Sequence, residues 1–138
     1  MSASRTSRGR LAGLVAALVV LVTGCGGGGL VREPFLNPRD TKASPSGAYV
    51  VRLLETGSGD ATQWRPQISS AAGAVVWSDD QTYTRRHFPG VVWESDADVL
   101  WILSSDIGHA SVRDQGGAWS KTFGSENMPA QVREWAGR

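Results

Sequence analysis

Three short runs of this sequence gather side chains able to do chemistry. Glu94, Asp96 and Asp98 alternate over five residues, and Asp79-Asp80 stands some way before them. Carboxylates grouped in this way are candidate oxygen ligands for calcium, and a pair of them suits glycosidic hydrolysis. However, Ser95-Asp96-Ala97 reads as a turn, and the twelve-residue calcium loop with its central glycine and terminal glutamate is absent. Turn capping is the expected role of these acids. Calcium ligation and a carboxylate-dependent envelope hydrolase are the alternatives. Ser104, Ser105, Asp106 and His109 hold the groups of a serine hydrolase. Packed into one turn they point apart, and no Gly-x-Ser-x-Gly elbow is present, so a polar hairpin turn is expected. Arg85, Arg86 and His87 beside Phe88 form a small basic patch. It could face an anionic lipid or a teichoic-type polymer, or serve only as a solvated edge.

Tryptophan is the unusual quantity. Six occur, at 64, 77, 93, 101, 119 and 135. A small domain without disulfides can fill its core with such rings, each burying roughly 150–250 Å². Indole is also enriched where binding energy concentrates. Both readings stand, with Trp64, Trp93 and Trp101, joined by Arg85 and Arg86, as candidate contacts for a ligand or partner. Trp64 is the foremost of these, because it lies between Gln63 and Arg65 in an expected loop before Pro66.

The elements that must position these residues are mostly strands. Ser44-Pro45-Ser46-Gly47 is a turn signal, and residues 48–56 alternate as a strand with Tyr49, Val51 and Leu53 on one face. Further strands are expected over 67–70, 74–78, 83–87, 91–94, 98–104, 109–113 and 118–123. Residues 91–94 and 98–104 form a hairpin around the turn at 95–97. Val99 to Leu103 is apolar on both parities, so that strand is expected to be central and covered on both sides. Residues 129–136 read as a helix capped by Asn127 or Met128, with Met128, Val132 and Trp135 in one stripe that packs on the sheet. The expected fold is mainly β: a small antiparallel sheet, curled or sandwiched, with a short C-terminal helix.

Charge and cysteine content narrow the function classes. The 138-residue chain carries a net charge of +1, but Arg5, Arg8 and Arg10 precede an uncharged run from Leu11 to Val22. The rest holds 11 basic and 13 acidic side chains, about −2, which speaks against nucleic acid as a partner. One cysteine excludes an internal disulfide and every multi-thiolate zinc site, and no cofactor is expected. The twelve-residue apolar run suits an export signal and is too short to span a hydrocarbon core, which needs about 20 residues. Val22-Thr23-Gly24-Cys25 follows it directly.

These four residues resemble the lipobox of bacterial lipoproteins, with Val22 where leucine is commoner. The resemblance implies cleavage after Gly24, with diacylglyceryl and palmitate-type acyl groups on Cys25. It also implies a location on the outer face of the cytoplasmic membrane, or on a membrane facing the periplasm. The chain then divides into a signal peptide (1–24), a lipidated cysteine with a flexible tether (25–44) and a β-rich extracytoplasmic domain (45–138). Gly26 to Gly29 begin the tether, and Phe35-Leu36 either docks on the domain or stays loose.

A second resemblance covers about 30 residues. Ser44-Pro45-Ser46-Gly47-Ala48-Tyr49-Val50-Val51 is similar to the Ser-Pro-Asp-Gly-x-x-Val-Ala opening of TolB-like propeller blades, with Ser46 replacing aspartate. The hairpin carrying Trp93 and Trp101 is similar to a blade's inner hairpin. Blades take about 40 residues and at least four close a ring, so the resemblance implies shared turns and not a propeller. The function expected is a membrane-anchored, non-catalytic binding domain for an envelope protein or cell-wall polymer. A structural component of an envelope complex is a further alternative.

Overall fold

The computed structural model describes residues 34–138; the apolar run, Cys25 and the four glycines after it lie outside the described residues. Strands β1 (Thr41–Ala43), β2 (Tyr49–Thr56), β3 (Gln63–Ser70) and β4 (Val75–Ser78) form an antiparallel meander, and β5 (Tyr83–Thr84) also pairs with β3. Strands β6 (Gly90–Trp93), β7 (Val99–Leu103), β8 (Ala110–Asp114) and β9 (Trp119–Phe123) form a second meander. Helix α1 (Ala130–Ala136) follows. The protein is therefore a mainly β sandwich with one short C-terminal helix. Among the described residues no helix is long and apolar enough to cross a membrane.

Period-two alternation builds the space between the sheets. Val51 and Leu53 of β2 and Trp64 and Ile68 of β3 meet Val91, Trp93, Leu100, Ile102 and Val112 of the second sheet in one core. The opposite parity of β6 and β7, with Val92, Val99, Trp101 and Leu103, packs on Met128 and Val132. All five residues of β7 are buried, which is why its sequence is apolar on both parities. The molecule thus has three layers: sheet, sheet and helix.

Several expectations change. Strand β3 begins at Gln63 and not at 67, so Trp64 lies in a strand and Pro66 in its middle. A proline fits there because β3 changes partners at that point. On one side it pairs with β4 at residues 67–69 and with β5 at 63–64, leaving Pro66 between them, where no ladder N–H is required. Its carbonyl still accepts from the Asp79 N–H at 2.9 Å. The expected strand 83–87 stops after Thr84, and Arg85–His87 form a 3-10 turn. Pro129 is the N-cap of α1, without a side-chain cap, in place of Asn127 or Met128. Of the two outcomes open for Phe35-Leu36, docking on the domain is the one observed. Leu36 is buried and donates its N–H to the Val91 carbonyl at 2.8 Å, and β1 is the edge strand beside β2.

Candidate functional site

One end of the sandwich opens into a cleft of about 620 Å³. Five separate parts of the chain reach it: the segment before β1, the start of β3, the 85–90 connection, the loop from β7 to β8, and the end of α1. Four aromatic rings supply its walls: Phe35, Trp64, Phe88 and Trp135. Trp64 is 4% exposed and meets the Phe88 ring edge-on, with centroids 5.2 Å apart. The Phe35 ring packs close against Gly90 of β6 because that position has no side chain; a Cβ there would stand 2.8 Å from the ring. A side chain at 90 would displace that wall.

The polar groups of the cleft are of one sign. Arg85 and Arg138 line it together with His109 and Ser105, and no Asp or Glu side chain among the described residues does. Arg85 is exposed and makes no ion pair among the described residues, whereas Arg138 pairs with Glu134 at 2.7 Å. Two nitrogens in the walls, Trp64 Nε1 and His109 Nδ1, are buried without a hydrogen-bond partner. Native interiors leave few such atoms unpaired, because each costs about 1–3 kcal/mol. Both residues line this one cleft, and His87 braces its neighbouring loop by a 2.5 Å contact from Nδ1 to Asp106.

The residues singled out by sequence divide on this geometry. Trp64 and Arg85 come together in the cleft, while Arg86 is exposed and does not line it. Trp93 and Trp101 are buried in the two cores and, unlike Trp64, do not line the cleft. Their N–H groups are used internally, donating to the Lys42 carbonyl at 3.0 Å and to Glu94 Oε1 at 2.8 Å. The acids are likewise employed apart from one another. Glu94 holds Trp101, and Asp98 accepts from the Ser46 N–H at 3.1 Å and the Ser46 hydroxyl at 2.5 Å. Burial opposes ionisation of Asp98, but the bonds from Ser46 and Ser44 outweigh it and hold the carboxyl below its ordinary range. Asp96 is exposed, and among the described residues no three His, Cys, Asp or Glu side chains are grouped to hold a metal. Ser104 Oγ accepts from the Ile107 N–H, and Asp106 faces His87 instead of His109, so no hydrolase triad forms.

A second polar cluster lies between the sheets. Asp79, fully buried, accepts from Lys121 Nζ at 2.9 and 3.1 Å and from the Tyr83 hydroxyl at 3.1 Å. The Gln81 amide oxygen takes another Lys121 proton at 2.9 Å. The ammonium is saturated by these acceptors, so the cluster ties the sheets together and has no free valence for a ligand. Sequence reading had no means of finding it, because Lys121 lies 42 residues from Asp79. The chain matches no protein-family model, no curated protein and no solved structure.

Proposed function

We propose that this chain is a lipid-anchored extracytoplasmic protein, held to the membrane through Cys25, whose sandwich is a non-catalytic binding domain. The cleft between the sheet ends and α1 is its binding site. The observation that carries the binding reading is the coincidence of two unpaired buried nitrogens, on Trp64 and His109, with an aromatic cleft of ligand size. The anchoring half rests on the resemblance of residues 22–25 to a lipobox and on the glycine run after them. Among the described residues no Asp or Glu side chain, hydrogen-bonded nucleophile or metal cluster converges on the cleft, which favours binding over hydrolysis. The occupant is then a small ligand or the end group of an envelope polymer.

Ser105 is the position for a test, because it is exposed at the rim and a bulky side chain there leaves the core untouched. Native mass spectrometry of the mature protein, equilibrated with envelope extract, is expected to show an added mass. Ser105→Trp should remove that mass while leaving the melting temperature unchanged. A wild-type protein that acquires nothing, or an added mass that survives Ser105→Trp, would overturn the assignment of the cleft.

A further inference from the structure

We infer that the occupant of the cleft is an organic anion with an apolar body: a carboxylate or phosphate held by Arg85 and Arg138, on a ring or chain that lies against Phe35, Phe88 and Trp135. This rests on the reading of the cleft as a binding site and deepens it. Charge is the first ground. Both arginines are exposed and no Asp or Glu side chain lines the cleft; Arg138 shares its charge with Glu134, whereas Arg85 has no ion pair among the described residues. Arg85 is the sharper of the two because no carboxylate among the described residues engages it. An arginine's planar fork matches the two oxygens of a carboxylate or phosphate.

The walls supply the second ground. An inorganic anion would need only the guanidiniums, yet the same cleft carries four aromatic rings with Leu103 between them. Planar apolar surface of this kind takes up a ring by stacking and an alkyl chain by burial, at about 25 cal/mol per Å² removed from water. A neutral apolar ligand would leave the Arg85 charge without a counter-charge. A free inorganic anion would leave the rings uncovered.

Anilinonaphthalene sulfonate combines one anionic group with two apolar ring systems and brightens on leaving water, so it serves as the probe. Its emission is expected to rise on mixing with the folded mature protein and to fall on adding decanoate or naphthoate. Decanol, with the same chain and no charge, should compete at least tenfold less well, as should inorganic phosphate. Arg85→Gln should weaken the probe about tenfold at unchanged melting temperature, and Arg85→Gln with Arg138→Gln further, in line with the strength of hydrogen bonds to charged groups. Decanoate and naphthoate separate the sources: the chain stands for membrane-derived lipid, the ring for a soluble aromatic acid, and displacement by either supports the class. Equal competition by decanol, or no change in the arginine variants while Ser105→Trp still blocks the probe, would overturn the anion and leave the cleft as a binding site. Displacement by inorganic phosphate alone would overturn the apolar body. A probe that never brightens, with or without Ser105→Trp, removes the cleft reading itself.

Discussion

Tyr83 brings its hydroxyl between the sheets, where Asp79 accepts its proton. Burial first, then the Asp79 charge and its hydrogen bond, then Asp80, push this phenol above the ordinary tyrosine range. A group whose folded pKa is raised stabilises fully below its unfolded value, near 10, and that contribution is lost as pH climbs through the folded value. Alkaline titration of phenolate absorbance should therefore leave one of the two tyrosines un-ionised past the normal range until the protein unfolds. Asp79→Asn should bring that step down. Complete ionisation of both near pH 10 in folded protein would contradict the geometry. On the proposed lipoprotein reading, the residue that decides the address is Cys25. Serine there keeps the size but lacks the sulfur to which a diacylglyceryl group must join. Cys25→Ser is expected to accumulate a precursor 24 residues longer than the mature form, without incorporation of labelled palmitate. A wild-type N-terminus with free, unmodified Cys25, or a cut elsewhere, would refute lipidation. Single residues were read from sequence with mixed success. Trp64 was singled out for lying in a loop and in fact lines the cleft from a strand, whereas Trp93 and Trp101 are enclosed on their strands by neighbours that sequence spacing does not reveal.

Strands carrying an unambiguous period were legible, and those with a conflicting residue were not. The apolar run of β7 announced a strand covered on both faces, and the stripe of Met128, Val132 and Trp135 announced a helix laid on a sheet. Pro66 concealed the first half of β3, because tolerance of a proline depends on where β4 yields to β5, a fact of pairing and not of propensity. The link between β9 and the end of β4 was equally hidden. Lys121 lies on the inward face of β9, its side chain 9% exposed and its ammonium bound to a fully buried carboxylate. Replacing Lys121 with methionine leaves Asp79 charged and unpaired in the interior. The expected loss is about 3–5 kcal/mol, measured by urea unfolding of the mature domain. Adding Asp79→Asn should restore part of it, since the amide carries no charge, its oxygen still accepts from the Gln81 N–H, and its NH2 can donate to the Tyr83 hydroxyl oxygen in place of the second carboxylate oxygen. Equal stability of Lys121→Met and wild type would mean the pair contributes nothing to joining the sheets.

At the scale of the whole molecule the sandwich and the site depend on different layers. The core between the sheets, from Val51 and Ile68 to Leu100 and Val112, contains no residue of α1. The cleft, in contrast, takes Trp135, Ala136 and Arg138 from that helix and its exit, along with residues as distant as Phe35. This span is why the site was not legible: no window of sequence holds more than a fragment of it, and although Phe35, Trp64, Arg85, Phe88, Ser105, His109 and Trp135 had each drawn notice, nothing in their spacing joined them. It also permits the two layers to be separated. Val132 is 1% exposed on the face of α1 that meets Val92, Val99, Trp101 and Leu103. An aspartate there would be a buried charge without a partner, so undocking the helix is the cheaper outcome. Val132→Asp is thus expected to lose ligand and probe binding while β2, β3 and β8 keep their slow amide exchange, and proteolysis should move to the 124–129 connection. Cooperative loss of all protection would show instead that the helix is needed for the sandwich to fold. Retained binding would show that the helix does not form the wall of the site.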